Sequence, residues 1–260
     1  MSADAKIPFE RGLDVARELL TLLAGTFVRA SVAGSLRRGK PEVGDIELVL
    51  APAFDGTLNL FEQRCEHLLA SHFEKRLNRN KQVMAWGKPG EWSRYKAVTY
   101  HGLPVDLFVV VPDRRWGPTL LVRTGPGSAN EVLVTTVGLK NRLGDVGVLP
   151  KGMKFDQGMV WRDGVALDTP EEEDVFAACA LPWMPPGARS VETYQDWSDP
   201  DWEGAYRVSY IDNYWRHKRG SGIPRDAIDR DGEPLWLEEQ RTCAAPMEQA
   251  RPVEQMGLFG

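Results

Sequence analysis

Residues 34–50, GSLRRGKPEVGDIELVL, constrain the fold more than any other part of the chain. A glycine-rich turn leads directly into DIELVL, where acidic and apolar residues alternate. This alternation predicts a β-strand, whose period of two puts the carboxylates of Asp45 and Glu47 on one face. Two carboxylates so close repel each other unless cations lie between them. The structural alternative is that they form the solvent face of an edge strand.

A third carboxylate stands in LPVDLFVVV, residues 103–111, which predicts a second apolar strand containing Asp106. If the two strands are neighbours, three carboxylates meet in one cluster. Oxygen ligands favour a hard ion such as Mg²⁺, and two such ions can activate an attacking hydroxyl and stabilise a leaving pyrophosphate. Gly34 and Ser35 offer N–H groups and a hydroxyl for an anion, and Arg38 can add a charge-assisted contact to a phosphate.

The first part of the chain alternates helical and strand patterns. Helical spacing predicts helices over 9–25 and 59–75. Strands are predicted from the apolar runs at 26–34, 45–52, 81–86, 95–100 and 104–112. We therefore expect a mixed α/β unit built around a small sheet.

The second part has a different pattern. Residues 118–144 predict two helices broken by a Gly-Pro-Gly loop, and 159–167 predict a hairpin with an Asp-Gly turn. Thr169 and Glu172 fit a capping box, which predicts a helix with Pro170 at its first position. Periodicity is weak after that helix.

Composition limits the classes of function. With 260 residues and a formal net charge of −5, the chain is not a nucleic-acid binder by overall charge. The three cysteines have no metal-type spacing, which favours reduced thiols in a cytoplasmic protein. No secretory signal pattern or membrane-length apolar run is present in the sequence.

The motifs together resemble the signature of the nucleotidyltransferase superfamily. More narrowly, AGSLRRGKPEVGDIELVL and LPVDLFVV are similar to the palm motifs of family X DNA polymerases, the polymerase beta group. RTGPGSAN resembles that family's Tyr-Phe-Thr-Gly-Ser loop, and residues 168–190 are similar to the end of the bacterial family X thumb. The likeness runs from about Ile7 to Ser190.

This resemblance implies an α/β (α+β) nucleotidyltransferase palm with a mixed sheet at residues 1–113 and a small α+β thumb at 114–190. We expect a C-terminal extension at 191–241 and a flexible tail at 242–260.

The resemblance also implies roles for individual residues. Asp45, Glu47 and Asp106 would be the catalytic ligands of two Mg²⁺ ions, with Mn²⁺ as an alternative, and Asp106 would also accept the proton of the primer 3′-hydroxyl. The residues expected to bind the nucleoside triphosphate or lie near the nascent base pair are Gly34, Ser35, Arg38, Gly44, Thr124, Gly125 and Asn130.

The function expected from this resemblance is DNA-directed DNA synthesis on primer-template or gapped DNA, in repair. One alternative is a template-independent terminal transferase or a small-molecule nucleotidyltransferase. The other is an inactive DNA-binding accessory tethered to a sliding clamp.

Three departures from the family pattern bear on function. Glu47 stands where a second Asp is usual, Phe108 where an arginine is common, and Val122 and Arg123 where the family has an aromatic pair near the sugar. Loss of that pair relaxes discrimination against a ribose 2′-hydroxyl, unless another side chain excludes the hydroxyl.

We expect the DNA-gripping domains that precede the palm in this family to be missing here, and we therefore expect other contacts to DNA. Two basic clusters are candidates, and a solvated surface is the alternative for both. They are Lys75, Arg76, Arg79 and Lys81, and then Arg216, Lys218 and Arg219. In EQMGLFG, Gln255, Leu258 and Phe259 resemble the peptide that docks on the bacterial sliding clamp.

Overall fold

A computed structural model of the chain describes residues 6–52, 67, 71–78, 80–82, 85–86, 93–110, 114–181 and 183–198. Five predictions lie wholly or mostly outside these residues: the helix at 59–75, the C-terminal extension at 191–241, the basic cluster at 216–219, the flexible tail at 242–260, and the C-terminal peptide with Gln255, Leu258 and Phe259. No helix in the described ranges has both the length and the apolar character needed to cross a bilayer.

The first part of the chain forms a mixed sheet covered by helices. Its elements are β1 (Ile7–Pro8), α1 (Phe9–Leu22), β2 (Phe27–Val32), α2 (Gly34–Arg37), β3 (Glu42–Val43), β4 (Ile46–Pro52), β5 (Glu74–Lys75), β6 (Ala85–Trp86), β7 (Ser93–Tyr100) and β8 (Leu103–Val110). The described strands run in the order β2-β4-β8-β7-β5, with β6 also paired to β7. Strands β4 and β8 are parallel and the other pairs are antiparallel, which confirms the predicted mixed sheet and the predicted adjacency of the two acidic strands.

The two faces of β4 and β8 differ in character. On one face Leu48 and Leu107 pack with Val15 and Leu19 of α1 in a core of fully buried side chains. Each such side chain contributes about 1.5–3 kcal/mol of burial free energy. Because strand side chains alternate, Glu47 and its in-register partner on β8 project from the opposite face.

The second part contains α3 (Trp116–Thr124), α4 (Gly127–Val134), β9 (Met153–Asp156), β10 (Met159–Arg162), β11 (Val165–Ala166), α5 (Glu172–Ala178), a 3₁₀ turn (Pro186–Ala188) and α6 (Val191–Ser198). Strands β9 to β11 form an antiparallel sheet. Asp163 and Gly164 have φ values of 51° and 82° between β10 and β11, so the predicted Asp-Gly hairpin is confirmed. A second core lies between these elements and reaches Tyr194 of α6, beyond residue 190.

The prediction of a helix through residue 144 was wrong, because α4 ends at Val134. The following residues make isolated bridges and turns instead, such as the bond from the Val137 N–H to the Leu149 carbonyl at 2.8 Å. Asn141 Oδ1 accepts from the N–H groups of Leu143 and Asp145, both at 2.9 Å. Such local side-chain bonds compete with helix formation.

The predicted capping box was also wrong. The N-cap of α5 is Glu171, whose N–H donates to Asp174 Oδ2 at 2.9 Å, two positions later than expected. The Thr169 hydroxyl instead donates to the Arg114 carbonyl at 3.3 Å. Glu172 is unavailable for capping because its carboxylate is the centre of a buried ion cluster.

That ion cluster joins the two parts of the chain. Glu172 accepts from Arg37 of α2 at 2.6 Å and from Arg189 at 2.9 Å, and all three side chains are buried. Arg37 also donates to Thr124 Oγ1 at the end of α3, at 2.7 Å. These contacts hold α3 and α5 against α2 and so fix the position of α3 over the sheet.

Candidate active site

The three predicted carboxylates meet at one end of β4. Glu47 and Asp106 are Cα partners in the parallel β4–β8 pair, so their side chains project side by side. Asp45 stands two residues before Glu47, immediately ahead of β4. The structure therefore brings all three residues together, while their role as metal ligands stays a prediction.

Burial and neighbouring acidic groups raise the pKa of two carboxyl groups in the cluster. Burial and then the charges of Asp45 and Asp106 raise the pKa of Glu47 to about 8. Burial and then the charge of Asp106 likewise raise the pKa of Asp45. Burial is the larger cause of both shifts, and a bound divalent cation would relieve the repulsion that adds to it.

Arginines from three separate elements surround the carboxylates. Arg76, which follows β5, places Nη1 2.7 Å from Asp106 Oδ1. The charges of Arg38 and Arg123 act on Glu47 from α2 and α3 and oppose the rise in its pKa. Arg76 was expected only as a DNA contact, and no local sequence signal indicates that it pairs with a residue thirty positions later.

Gly34 sets the distance between α2 and the cluster. Its φ is +63°, and a Cβ at this position would overlap the Glu47 carboxylate at Oε2. The neighbouring Ala33 N–H donates to the Glu47 carbonyl at 2.8 Å. Glycine is therefore required at this position for two reasons: it adopts the positive φ, and it leaves space for the Glu47 carboxylate.

Two buried donors of α2 lack partners in the part of the chain that the structure describes. These atoms are the Ser35 hydroxyl oxygen and Nε of Arg38. Arg38 does use Nη1, which donates to the Thr124 carbonyl at the end of α3. Buried polar atoms are nearly always paired, so an unpartnered hydroxyl beside the cluster is what a bound anion would satisfy.

The other predicted nucleotide-binding residues take different positions. Thr124 is fully buried and, with Gly125, lies against Arg37 and Arg38. Gly44 is exposed, with open space where a Cβ would stand. The Asn130 amide donates to the Val122 carbonyl at 2.6 Å and so closes the connection between α3 and α4.

The residues fit a divalent cation in charge and in oxygen chemistry. As the side chains stand, no three His, Cys, Asp or Glu residues in the described ranges are arranged to hold a metal ion. One oxygen of Asp106 is paired with Arg76. Because Mg²⁺ commonly uses one or two carboxylates plus substrate phosphates, two carboxylates with a bound triphosphate would suffice for each ion once Arg76 moves away.

Comparison with known proteins assigns no family, since no protein-family model and no curated protein matches the chain. The functional conclusion therefore depends on the geometry and electrostatics of the carboxylate cluster.

Proposed function

We propose that this chain is a nucleotidyltransferase of the family X DNA polymerase type, with a palm built on the β4–β8 sheet. In the reaction, a primer 3′-hydroxyl attacks the α-phosphate of a nucleoside triphosphate and pyrophosphate leaves. The observation that carries the proposal is the in-register pairing of Glu47 with Asp106 on parallel strands, with Asp45 two residues before Glu47. Burial and the neighbouring acidic side chains raise the pKa of Asp45 and of Glu47, and bound cations would favour the charged forms of both.

The carboxylates have separate roles in this proposal. Asp45, Glu47 and Asp106 would hold two Mg²⁺ ions, or Mn²⁺, which lower the pKa of the attacking hydroxyl and stabilise the leaving pyrophosphate. Asp106 accepts the proton of the 3′-hydroxyl. Arg76 must first release the Asp106 oxygen that it now holds.

The triphosphate would lie on the α2 side of the cluster. There the unpartnered Ser35 hydroxyl supplies a donor, and the Arg38 guanidinium supplies a charge. Gly34 lets the turn approach the carboxylates without a side chain between them. Thr124 and Gly125 hold Arg38 in place from the end of α3.

The acceptor in this proposal is primer-template or gapped DNA. Support for DNA comes from the family X motifs between Ile7 and Ser190, whereas the carboxylate cluster supports nucleotidyl transfer to any hydroxyl. A terminal or small-molecule transferase therefore remains the alternative enzyme. The sliding clamp is a proposed partner through Gln255, Leu258 and Phe259.

Primer extension with and without a template strand tests the proposal. We expect templated extension by the wild type, loss of extension by Asp45→Ala and full extension by Asp14→Ala. Asp14 is the matched control because its exposed carboxylate lies on α1, which covers the other face of the sheet.

The outcomes separate the candidate functions. Extension without a template that is lost in Asp45→Ala would establish the transferase instead. No extension by the wild type under either condition would contradict a polymerase and a terminal transferase, and would favour the small-molecule transferase or the clamp-tethered accessory.

A further inference from the structure

One face of α3 lies above the sheet. It is apolar at the N-terminal end of the helix and charged at the C-terminal end. Trp116, Leu120 and Arg123 are spaced by four and then three positions, so they share a face of the helix. Trp116 and Leu120 pack in a core that includes Val49 and Phe108 of the sheet. Arg123 is the next residue along the same face.

The side chains of the sheet beneath this helix also change from apolar to charged in the same direction. Val49 and Phe108 are in-register partners on β4 and β8, and so are Glu47 and Asp106, two residues earlier. The paired side chains therefore change from apolar to acidic over one repeat of the pleat. Arg123 lies at this boundary, with its Cζ 4.0 Å from the centroid of the Phe108 ring.

The Phe108 ring holds the Arg123 guanidinium in a fixed position. Phe108 is 4% exposed and is packed within the apolar core under α3, so its ring has little freedom to move. A guanidinium that lies on an aromatic face keeps its N–H donors in its own plane, directed sideways along the surface. The charge of Arg123 reaches the acidic side of the boundary, where it acts on Glu47.

Arg123 and Arg38 approach the cluster from adjoining elements. Arg38, the residue that follows α2, donates to the carbonyl of Thr124, the residue that follows Arg123 in α3. Both arginines act electrostatically on Glu47. A polyanion bound at the carboxylates would therefore meet one cation from α2 and a second from α3.

Phe108 and Arg123 are also among the residues that differ from the family X motifs that the chain resembles. Phe108 replaces an arginine and Arg123 replaces an aromatic residue. In this chain the ring is on β8 and the cation is on α3, and the two contact each other. The contact places a guanidinium where its charge acts on Glu47.

We propose that Arg123, packed on the Phe108 ring, is a substrate-positioning residue. It donates charge-assisted hydrogen bonds to a phosphate oxygen of the nucleoside triphosphate. This inference rests on the proposed nucleotidyl transfer and extends it, because it adds a second cation for the triphosphate from α3. If Arg123 only held α3 on the sheet, its loss would lower stability without a specific effect on nucleotide binding.

The test compares Arg123→Gln, Phe108→Leu and Arg11→Gln with the wild type. Arg11 is the matched control because it is an exposed arginine on α1, which packs on the opposite face of the sheet. Three quantities are measured: the Kd of dATP with Mg²⁺ in the absence of primer, by calorimetry, and the KM and kcat of primer extension. Thermal unfolding of each variant reports on stability.

We expect Arg123→Gln to raise both Kd and KM by about tenfold, the effect of one charge-assisted hydrogen bond, with a smaller change in kcat. Phe108→Leu should also raise Kd, because the Arg123 guanidinium then lacks the aromatic ring on which it packs. Arg11→Gln should match the wild type. If Arg123→Gln does not fold, Arg123→Met, whose unbranched chain still packs on Phe108, provides the same readout.

Two results would overturn the inference in distinguishable ways. A wild type that binds dATP and extends primers, beside an Arg123 variant with unchanged Kd and KM, rejects Arg123 as a positioning residue and leaves the proposed function intact. A wild type that neither binds dATP nor extends primers rejects the proposed function and the inference with it.

Discussion

Gly34 lies directly against the carboxylate of Glu47, with no room for a side chain between them. The same turn contains a second glycine, Gly39, whose φ of +66° is close to the +63° of Gly34 but which has nothing within 4 Å of its Cβ position. The two glycines therefore share a left-handed backbone conformation that would strain any other residue, and they differ in what a methyl group would contact.

Alanine substitution at these two positions separates the effect of backbone strain from the effect of displacing Glu47. Gly39→Ala should lower the free energy of unfolding by about 1–2 kcal/mol, the cost of a left-handed conformation, and leave nucleotidyl transfer unchanged. Gly34→Ala should lose at least as much stability and also lose activity, because the methyl group displaces Glu47. Urea unfolding and primer extension of both variants check this. Equal activity in the two variants would mean that Gly34 does not set the position of Glu47.

The ion pair between Arg76 and Asp106 competes with cation binding in the proposed mechanism. Arg76 is 27% exposed and Asp106 is 16% exposed, so the ion pair makes only a modest contribution to stability and a cation can displace Arg76. Arg76→Gln should lower the Mg²⁺ concentration that half-saturates primer extension by about two- to fivefold, because Asp106 no longer has to be released. A Mg²⁺ titration at saturating nucleotide measures the effect.

Lys81→Gln is the matched control for that experiment. Lys81 is exposed and belongs to the same predicted basic cluster, so its replacement removes an equal charge. Its half-saturating Mg²⁺ concentration should equal that of the wild type. A higher Mg²⁺ requirement in Arg76→Gln would show that Arg76 assists the reaction instead of competing with the ions.

Glu172 makes stability depend on pH. Burial alone would raise its pKa, but Arg189 and Arg37 outweigh burial and lower the pKa to about 2, against 4.5 for an ordinary glutamate. A depressed pKa stabilises the fold above about pH 4.5, and this contribution is lost as the pH falls toward 2. Glu172→Gln should lower the free energy of unfolding at pH 7 by about 3 kcal/mol, because it leaves two buried guanidinium groups without their carboxylate.

Urea unfolding of the wild type and Glu172→Gln at several pH values checks this prediction. The difference between them should be constant near neutrality and shrink as the pH falls below about 4.5. Glu10→Gln, an exposed change on α1, should show no such trend. A difference that stays constant down to pH 3 would mean that the buried ion cluster does not set the acid stability.

Local pattern was enough to predict the strands that carry the carboxylates. Asp45 and Glu47 share a face because strand side chains alternate, and Asp106 stands in an apolar run of the kind that a sheet interior requires. Turn chemistry was equally local, since Asp163 and Gly164 adopt the positive φ values that a two-residue hairpin needs.

Long-range pairing set the features that local pattern missed. The sequence around Glu172 satisfied the rule for a capping box, but Arg37 and Arg189 take its carboxylate from far along the chain. Arg76 and Arg123 are ordinary charged residues in sequence, and only the fold brings them to the carboxylates. Tertiary contacts of this kind override local propensity.

Binding of Mn²⁺, followed by electron paramagnetic resonance in the presence of a nucleoside triphosphate, tests the metal site most directly. The wild type should bind Mn²⁺ beyond what the nucleotide alone retains, and the isosteric variants Asp45→Asn and Asp106→Asn should lose that binding while Asp14→Asn keeps it. Equal Mn²⁺ binding by the wild type, Asp45→Asn and Asp106→Asn would contradict the carboxylate cluster as the metal site.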